Sequence, residues 1–116
     1  MIAVLQRAAD ARVDIGGQTV GAIPHGLVVL LGVVEGDDEE DADYLVDKTA
    51  NLRIFNDADE KMNLSVQDVG GSALVISQFT LCADTRKGRR PSYIRAADPG
   101  EASRLYDYYR AQLAGT

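Results

Sequence analysis

The stretch Ser77-Gln78-Phe79-Thr80-Leu81 carries two hydroxyls and a primary amide at the end of an apolar run. Laid out as a strand, Leu74, Ile76, Gln78 and Thr80 share one face, and Val75, Ser77, Phe79 and Leu81 share the other. Polar groups therefore appear on both faces where the strand ends. Hydroxyl, amide and backbone N–H groups at such a place can aim fixed donors at a reacting carbonyl, as oxyanion stabilisation requires. The same pattern also fits a strand emerging into solvent, with Thr present for its β-propensity. Other candidates carry less. Cys82 and His25 make a nucleophile and base only if the fold joins them, and no triad spacing supports that. His25, between Pro24 and Gly26, reads as a surface turn residue. Asp57-Ala58-Asp59 opens like a calcium loop, but Lys61 and Met62 stand where an oxygen ligand and then a glycine are needed. The glycine pairs match neither a Walker A motif nor a dinucleotide fingerprint. With 1 Cys and 1 His, a structural zinc site built from those residues is excluded.

These side chains need elements to position them. Ile2 to Ile15 alternates in part, clearest at Ala11, Val13 and Ile15, which predicts strand. Gly16-Gly17 is a two-residue hairpin signal, and Thr19 to Ile23 is the returning strand. Leu27 to Val34 is continuously apolar and reads as a strand buried on both faces. After the turn at Glu35 to Asp38, residues Ala42, Leu45, Val46, Thr49 and Leu52 have the spacing of one helical face, with Asp38 as N-cap. Leu52 to Phe55 and Leu64 to Val66 read as short strands, and Ala73 to Leu81 as the clearest strand of the chain. Cys82 to Ala97 is a long connection of the kind that often carries function. Asp98-Pro99 starts a second helix with a stripe at Ala102, Leu105, Tyr106, Tyr109 and Leu113, ended by Gly115. Hairpin-joined strands predict antiparallel pairing, hence an α+β fold.

A length of 116 residues fits one domain, and the apolar and charged fractions are those of globular proteins. No apolar run approaches the roughly 20 residues of a membrane-spanning helix, and no basic n-region opens the chain. A single Cys suits a reducing cytosol. The net charge of -6 argues against a nucleic-acid partner until its distribution is considered. Eight acids and no base lie between Glu35 and Asp47, where a solvated helix start accounts for them. Arg86, Lys87, Arg89, Arg90 and Arg95 lie within ten residues that hold no acid. A phosphate-bearing partner responds to that local field rather than to the mean.

The run SQFTLCADTRKGRRPSY resembles the signature of the D-aminoacyl-tRNA deacylases, also called D-tyrosyl-tRNA deacylases. The resemblance extends to AVLQR, GLVVLLGV, NLRIFND and KMNLSVQDVGG, collinear over nearly the whole chain. It implies a mostly antiparallel, β-barrel-like sheet with two flanking helices, working as a homodimer with the active site at the subunit interface. It implies hydrolysis of the ester between a D-amino acid or glycine and the terminal ribose of tRNA, a cytoplasmic proofreading step. No metal, other cofactor or membrane is implied. The strand end Ser77, Gln78, Phe79 and Thr80 would line the aminoacyl pocket. Either Thr80 is the nucleophile, or a ribose hydroxyl supplies the chemistry with backbone donors near Phe79 and Thr80. A Thr hydroxyl needs an activating base, and the motif holds no His, acid or Lys, which favours the second view. Arg7 matches the family's first-strand Arg, which helps hold the dimer-borne selectivity element; it also fits an outward strand Arg. Met62 and Asn63 match the KMN turn, where plain turn chemistry also suits Asn. Arg86, Lys87, Arg89 and Arg90 would meet acceptor-stem phosphates, unless they are only a solvated loop.

The match departs in one respect. The family continues into an Asn-x-Gly-Pro-x-Thr motif that excludes L-amino acids, whereas Pro24, Pro91 and Pro99 here follow Ile23, Arg90 and Asp98. The expectation is a single domain over residues 1–116, C-terminally truncated relative to the family, with weakened D-over-L discrimination. A second reading is an impaired or inactive tRNA-binding dimer that lacks this chiral gate. A third is a small-ester or peptide hydrolase using Thr80 or Cys82 covalently.

Overall fold

The apolar run that follows Pro24 becomes the middle of the molecule. The protein is described by a computed structural model that covers residues 1–83, 86 and 88–116. Its elements in chain order are β1 (Ile2–Ala8), β2 (Ala11–Ile15), β3 (Gln18–Ile23), β4 (Gly26–Gly32), α1 (Glu39–Asn51), β5 (Phe55–Asn56), β6 (Met62–Leu64), β7 (Ser72–Ser77), a 3₁₀ turn (Phe79–Cys82) and α2 (Pro99–Ala114). Strand β4 is central to a sheet of order β1-β4-β7. Its Leu27, Val29 and Leu31 are fully covered and form the core with Val46, Val66 and Tyr109.

Two expectations about the sheet are corrected. Strand β1 runs antiparallel to β4, but β7 runs parallel to it, with Val29 opposite Val75. A parallel pair needs a long crossover, and α1 with the β5–β6 ribbon supplies it. The hairpin rule governs only neighbouring strands. Among the described residues the strands form one three-stranded sheet and two two-stranded ribbons, with no closed barrel.

Local signals hold closely elsewhere. Gly16 and Gly17 adopt φ of 58° and 80°, the left-handed pair that a tight β2–β3 hairpin needs. The Asp38 carboxylate accepts from the Glu40 and Asp41 amides, and the Asp41 carboxylate accepts from the Asp38 amide. That reciprocal cap satisfies donors that the first turn leaves open. Asp98 caps α2 in the same way, with Pro99 following. The helices are joined in the core by a 2.6 Å hydrogen bond between Thr49 Oγ1 and Tyr109 Oη. Tyr106 Oη donates to the Val75 carbonyl at 2.7 Å, so α2 braces β7. The short strands are shifted from expectation. Leu52 is the C-cap of α1, its amide bonded to the Lys48 carbonyl, and β6 ends at Leu64 because Ser65 turns the chain through Asp68.

Strand β7 also stops earlier than its composition predicts. The Gln78 amide still donates to the Leu31 carbonyl at 2.8 Å, but the chain then folds into the 3₁₀ turn. The turn packs closely on Gly32. A Cβ there would lie 3.1 Å from Cys82 Sγ, 3.1 Å from Leu81 Cβ and 3.2 Å from the Gln78 carbonyl oxygen. The bare backbone of Gly32 is the floor on which the turn rests.

Candidate active site

The turn assembles the polar residues of the SQFT motif. Ser77 is the last residue of β7, opposite Leu31. Gln78 is extended and acts as N-cap: its amide is bonded to Leu31, and its carbonyl accepts from the Leu81 amide at 3.3 Å. The first amides of such a turn have no carbonyl behind them to donate to. Those are the amides of Phe79 and Thr80, both on exposed residues. The Gln78 side-chain amide donates to Thr80 Oγ1 in a short hydrogen bond. Two adjacent backbone N–H donors thus lie at the end of β7 beside a hydrogen-bonded amide and hydroxyl, and such backbone donors suit a carbonyl that gains negative charge.

Among the described residues no hydrogen-bonded base stands beside Thr80. The His25 carbonyl accepts from the Ser72 amide, which places His25 at the opposite end of β7, about 17 Å of strand away. Gln78 donates a proton to Thr80 rather than removing one. Cys82 is buried against the Val33 carbonyl, 3.5 Å from Sγ, and burial pushes its thiol up from the ordinary value. A covalent role for Thr80 or Cys82 therefore has no support in the geometry.

The remaining predicted residues are dispersed. Arg7 faces Leu27 in β1, a row that continues to Ala73, whereas Ser77 lies on the row of Leu31. Arg7 is exposed and stands about 13 Å along the strands from the turn. Met62 and Asn63 lie on the β5–β6 ribbon, Met62 60% exposed and Asn63 Oδ1 accepting from Arg53 Nη1 at 3.1 Å. The neighbouring Asp57 carboxyl is held below its usual value, first by the Lys61 amide and further by the Asp59 amide and the Asn63 side chain. This ribbon is a locally closed turn. Arg86, Arg89 and Arg90 are exposed beyond the 3₁₀ turn, and Lys87 lies outside the described residues. One contact escaped sequence reasoning. Tyr93 packs edge to face on Phe79, and its only signal was its place at the end of the RPSY run.

A cavity of about 1030 Å³ lies between the β2–β3 ribbon, β7 and α2. Val13, Ile15, Val20, Leu74 and Leu113 make much of its wall apolar, and of the SQFT residues only Ser77 borders it. Among the described residues no three His, Cys, Asp or Glu side chains are grouped to hold a metal ion. No described helix is long and apolar enough to cross a membrane.

The family model described as D-Tyr-tRNA(Tyr) deacylase matches residues 4–116. A protein of Actinobacillus pleuropneumoniae serotype 5b (strain L20), named D-aminoacyl-tRNA deacylase, is 56% identical over 114 residues, covering 98% of this chain and 79% of that protein. One of Dehalococcoides mccartyi (strain CBDB1) with the same name is 61% identical over 109 residues, covering 94% of this chain and 71% of its own length. Among solved structures, one titled c-Myc DNA Unwinding Element Binding Protein superposes with a TM-score of 0.92 at 36% identity, over 97% of this chain and 76% of that one.

Proposed function

The chain belongs to the D-Tyr-tRNA(Tyr) deacylase family, and from that membership we propose that it hydrolyses D-aminoacyl-tRNA in translational proofreading. The observation that carries the reading is the 3₁₀ turn after β7, with Gln78 and Thr80 side chains beside the first amides of the turn. Water adds to the ester carbonyl, the bond to the terminal ribose oxygen breaks, and that oxygen takes a proton. Free amino acid and tRNA leave. The Phe79 and Thr80 amides hold the carbonyl oxygen as it gains charge. With no base hydrogen-bonded to Thr80 among the described residues, the neighbouring ribose hydroxyl orients the water. Glycyl-tRNA fits the same chemistry, since glycine has no side chain to reject. A tRNA ester as substrate supports a cytoplasmic site of action.

The test is deacylation of D-tyrosyl-tRNA and L-tyrosyl-tRNA side by side. Turnover of the D ester at low enzyme concentration is expected. Release from neither, with tRNA still bound, would replace this reading with a binding module. Release from the L ester as well would mean that these 116 residues do not by themselves discriminate the two esters.

We also propose that two copies act together. Arg7 and the turn lie too far apart to meet within one chain, and Ile2 and Val4 on β1 are exposed. Light scattering is expected to give twice the 12.5 kDa of the chain, and a monomer mass removes this part of the reading.

The exposed arginines after the turn suit acceptor-stem phosphates. Arg89→Ala with Arg90→Ala is expected to weaken tRNA binding and to flatten its log–log salt slope by about 1 to 2. An unchanged slope in a filter-binding titration means that these side chains do not touch phosphate.

A further inference from the structure

The turn at residues 33–37 holds a charge pair that the reaction does not use. Both Asp37 carboxylate oxygens face the α-amino group of Met1, Oδ1 at 2.9 Å and Oδ2 at 2.8 Å. Oδ2 also accepts from the Val34 amide at 2.7 Å. The Met1 side chain is 1% exposed and that of Asp37 11%. Met1 packs against the core cluster that contains Leu27, Val29 and Leu31. The same turn holds the segment that returns from the site. The Glu35 amide donates to the Arg95 carbonyl at 2.8 Å, and the Ala97 amide to the Val33 carbonyl at 3.0 Å. One carboxylate thus ties the amino end of β1 to the turn on which that segment rests. Exposed pairs such as Arg12 with Asp14 contribute little to stability. A covered pair differs: removing one partner leaves an uncompensated charge out of water. An acylated nitrogen carries no charge and one N–H in place of three. Its added carbonyl would also have to enter space that is already closed.

We propose that Asp37 is the receptor for a free, charged α-amine at Met1, so that the fold closes fully only when this nitrogen carries neither an acyl group nor further residues. Where the initiator methionine is formylated, the step that must come first is an amide hydrolysis. Water adds to the formyl carbonyl, the C–N bond breaks, formate leaves, and the nitrogen takes up a proton to become the ammonium that Asp37 binds. Acetyl transfer to the same nitrogen reverses the closure. The proposal concerns maturation of the fold and does not depend on the deacylase reading.

The test compares three forms of the full chain, each identified by its intact mass. One has a free Met1 amine, one keeps its formyl group because it is produced with deformylation inhibited, and one is extended by Gly-Ser before Met1. Urea denaturation is expected to show the unfolding equilibrium constant of both blocked forms raised by about 100-fold. In Asp37→Asn the same blocking is expected to cost less than about tenfold, because a neutral amide leaves no charge stranded. Equal midpoints for free and blocked wild type overturn the proposal. So does a blocking penalty as large in Asp37→Asn as in wild type. A further measurement needs no variant. Exposed Lys48 serves as internal reference for an amine-acylating reagent. Relative to it, the Met1 amine is expected to react at least about tenfold more slowly in the folded protein than in urea. Equal relative reactivity in the two states overturns the pairing of Met1 with Asp37.

Discussion

Gln78→Ala is expected to lower kcat for D-aminoacyl-tRNA hydrolysis by about 100-fold, with tRNA affinity little changed. The main-chain bonds that set the turn run from the Gln78 amide to Leu31 and from the Leu81 amide to the Gln78 carbonyl, and neither uses the side chain. The variant therefore keeps the turn and loses the amide that holds Thr80 Oγ1 beside the first amides of the turn. Loss of a single preorganised donor costs about 100- to 1000-fold in comparable acyl-transfer sites. Thr80→Ala is expected to cost about tenfold or less, because the hydroxyl accepts from Gln78 and is bonded to no base among the described residues. Single-turnover deacylation with a parallel binding titration separates the two. Complete loss in Thr80→Ala with normal tRNA binding, beside an active Gln78→Ala, would show that Thr80 does the chemistry.

Gly26→Ala is expected to destabilise the fold by about 3 kcal/mol or more. Gly26 has φ +144°, and a Cβ there would lie 1.8 Å from the Ser72 carbonyl oxygen and 2.6 Å from its nitrogen. Both are backbone atoms and cannot rotate away. Gly26 and Ser72 are the first pair of the parallel ladder, so the clash pushes β7 off β4 at its start. The site sits at the other end of the same strand. Gly36→Ala is the control: φ there is +90° with nothing within 4 Å, so only backbone strain of about 1 kcal/mol is added. Urea denaturation measures both. If the two variants unfold at the same midpoint, the close approach of β4 to β7 is not what Gly26 serves.

The sequence by itself determined what neighbouring residues decide among themselves. The left-handed turn at Gly16-Gly17, the caps at Asp38 and Asp98, the apolar β4 and both helical stripes each depend on residues a turn or a strand apart. So did the identity of the motif, because SQFT, TRKG and RPSY are read in order along one run. Tertiary structure decided the rest. Alternation through Leu81 could not reveal that β7 ends at Ser77, since the turn packs closely on the distant Gly32, where a side chain would crowd it. The parallel direction of β7 depends on a crossover through α1 that no hairpin signal records. Arg7 matched the motif set, yet the ladder places it on a different row from Ser77. Phe79 and Tyr93 meet across a segment without periodicity, so their pairing leaves no pattern in the chain. Capping and turn formation involve atoms already close along the backbone, whereas a site made from a strand end, a bare glycine and a returning loop exists only once the long loops have closed.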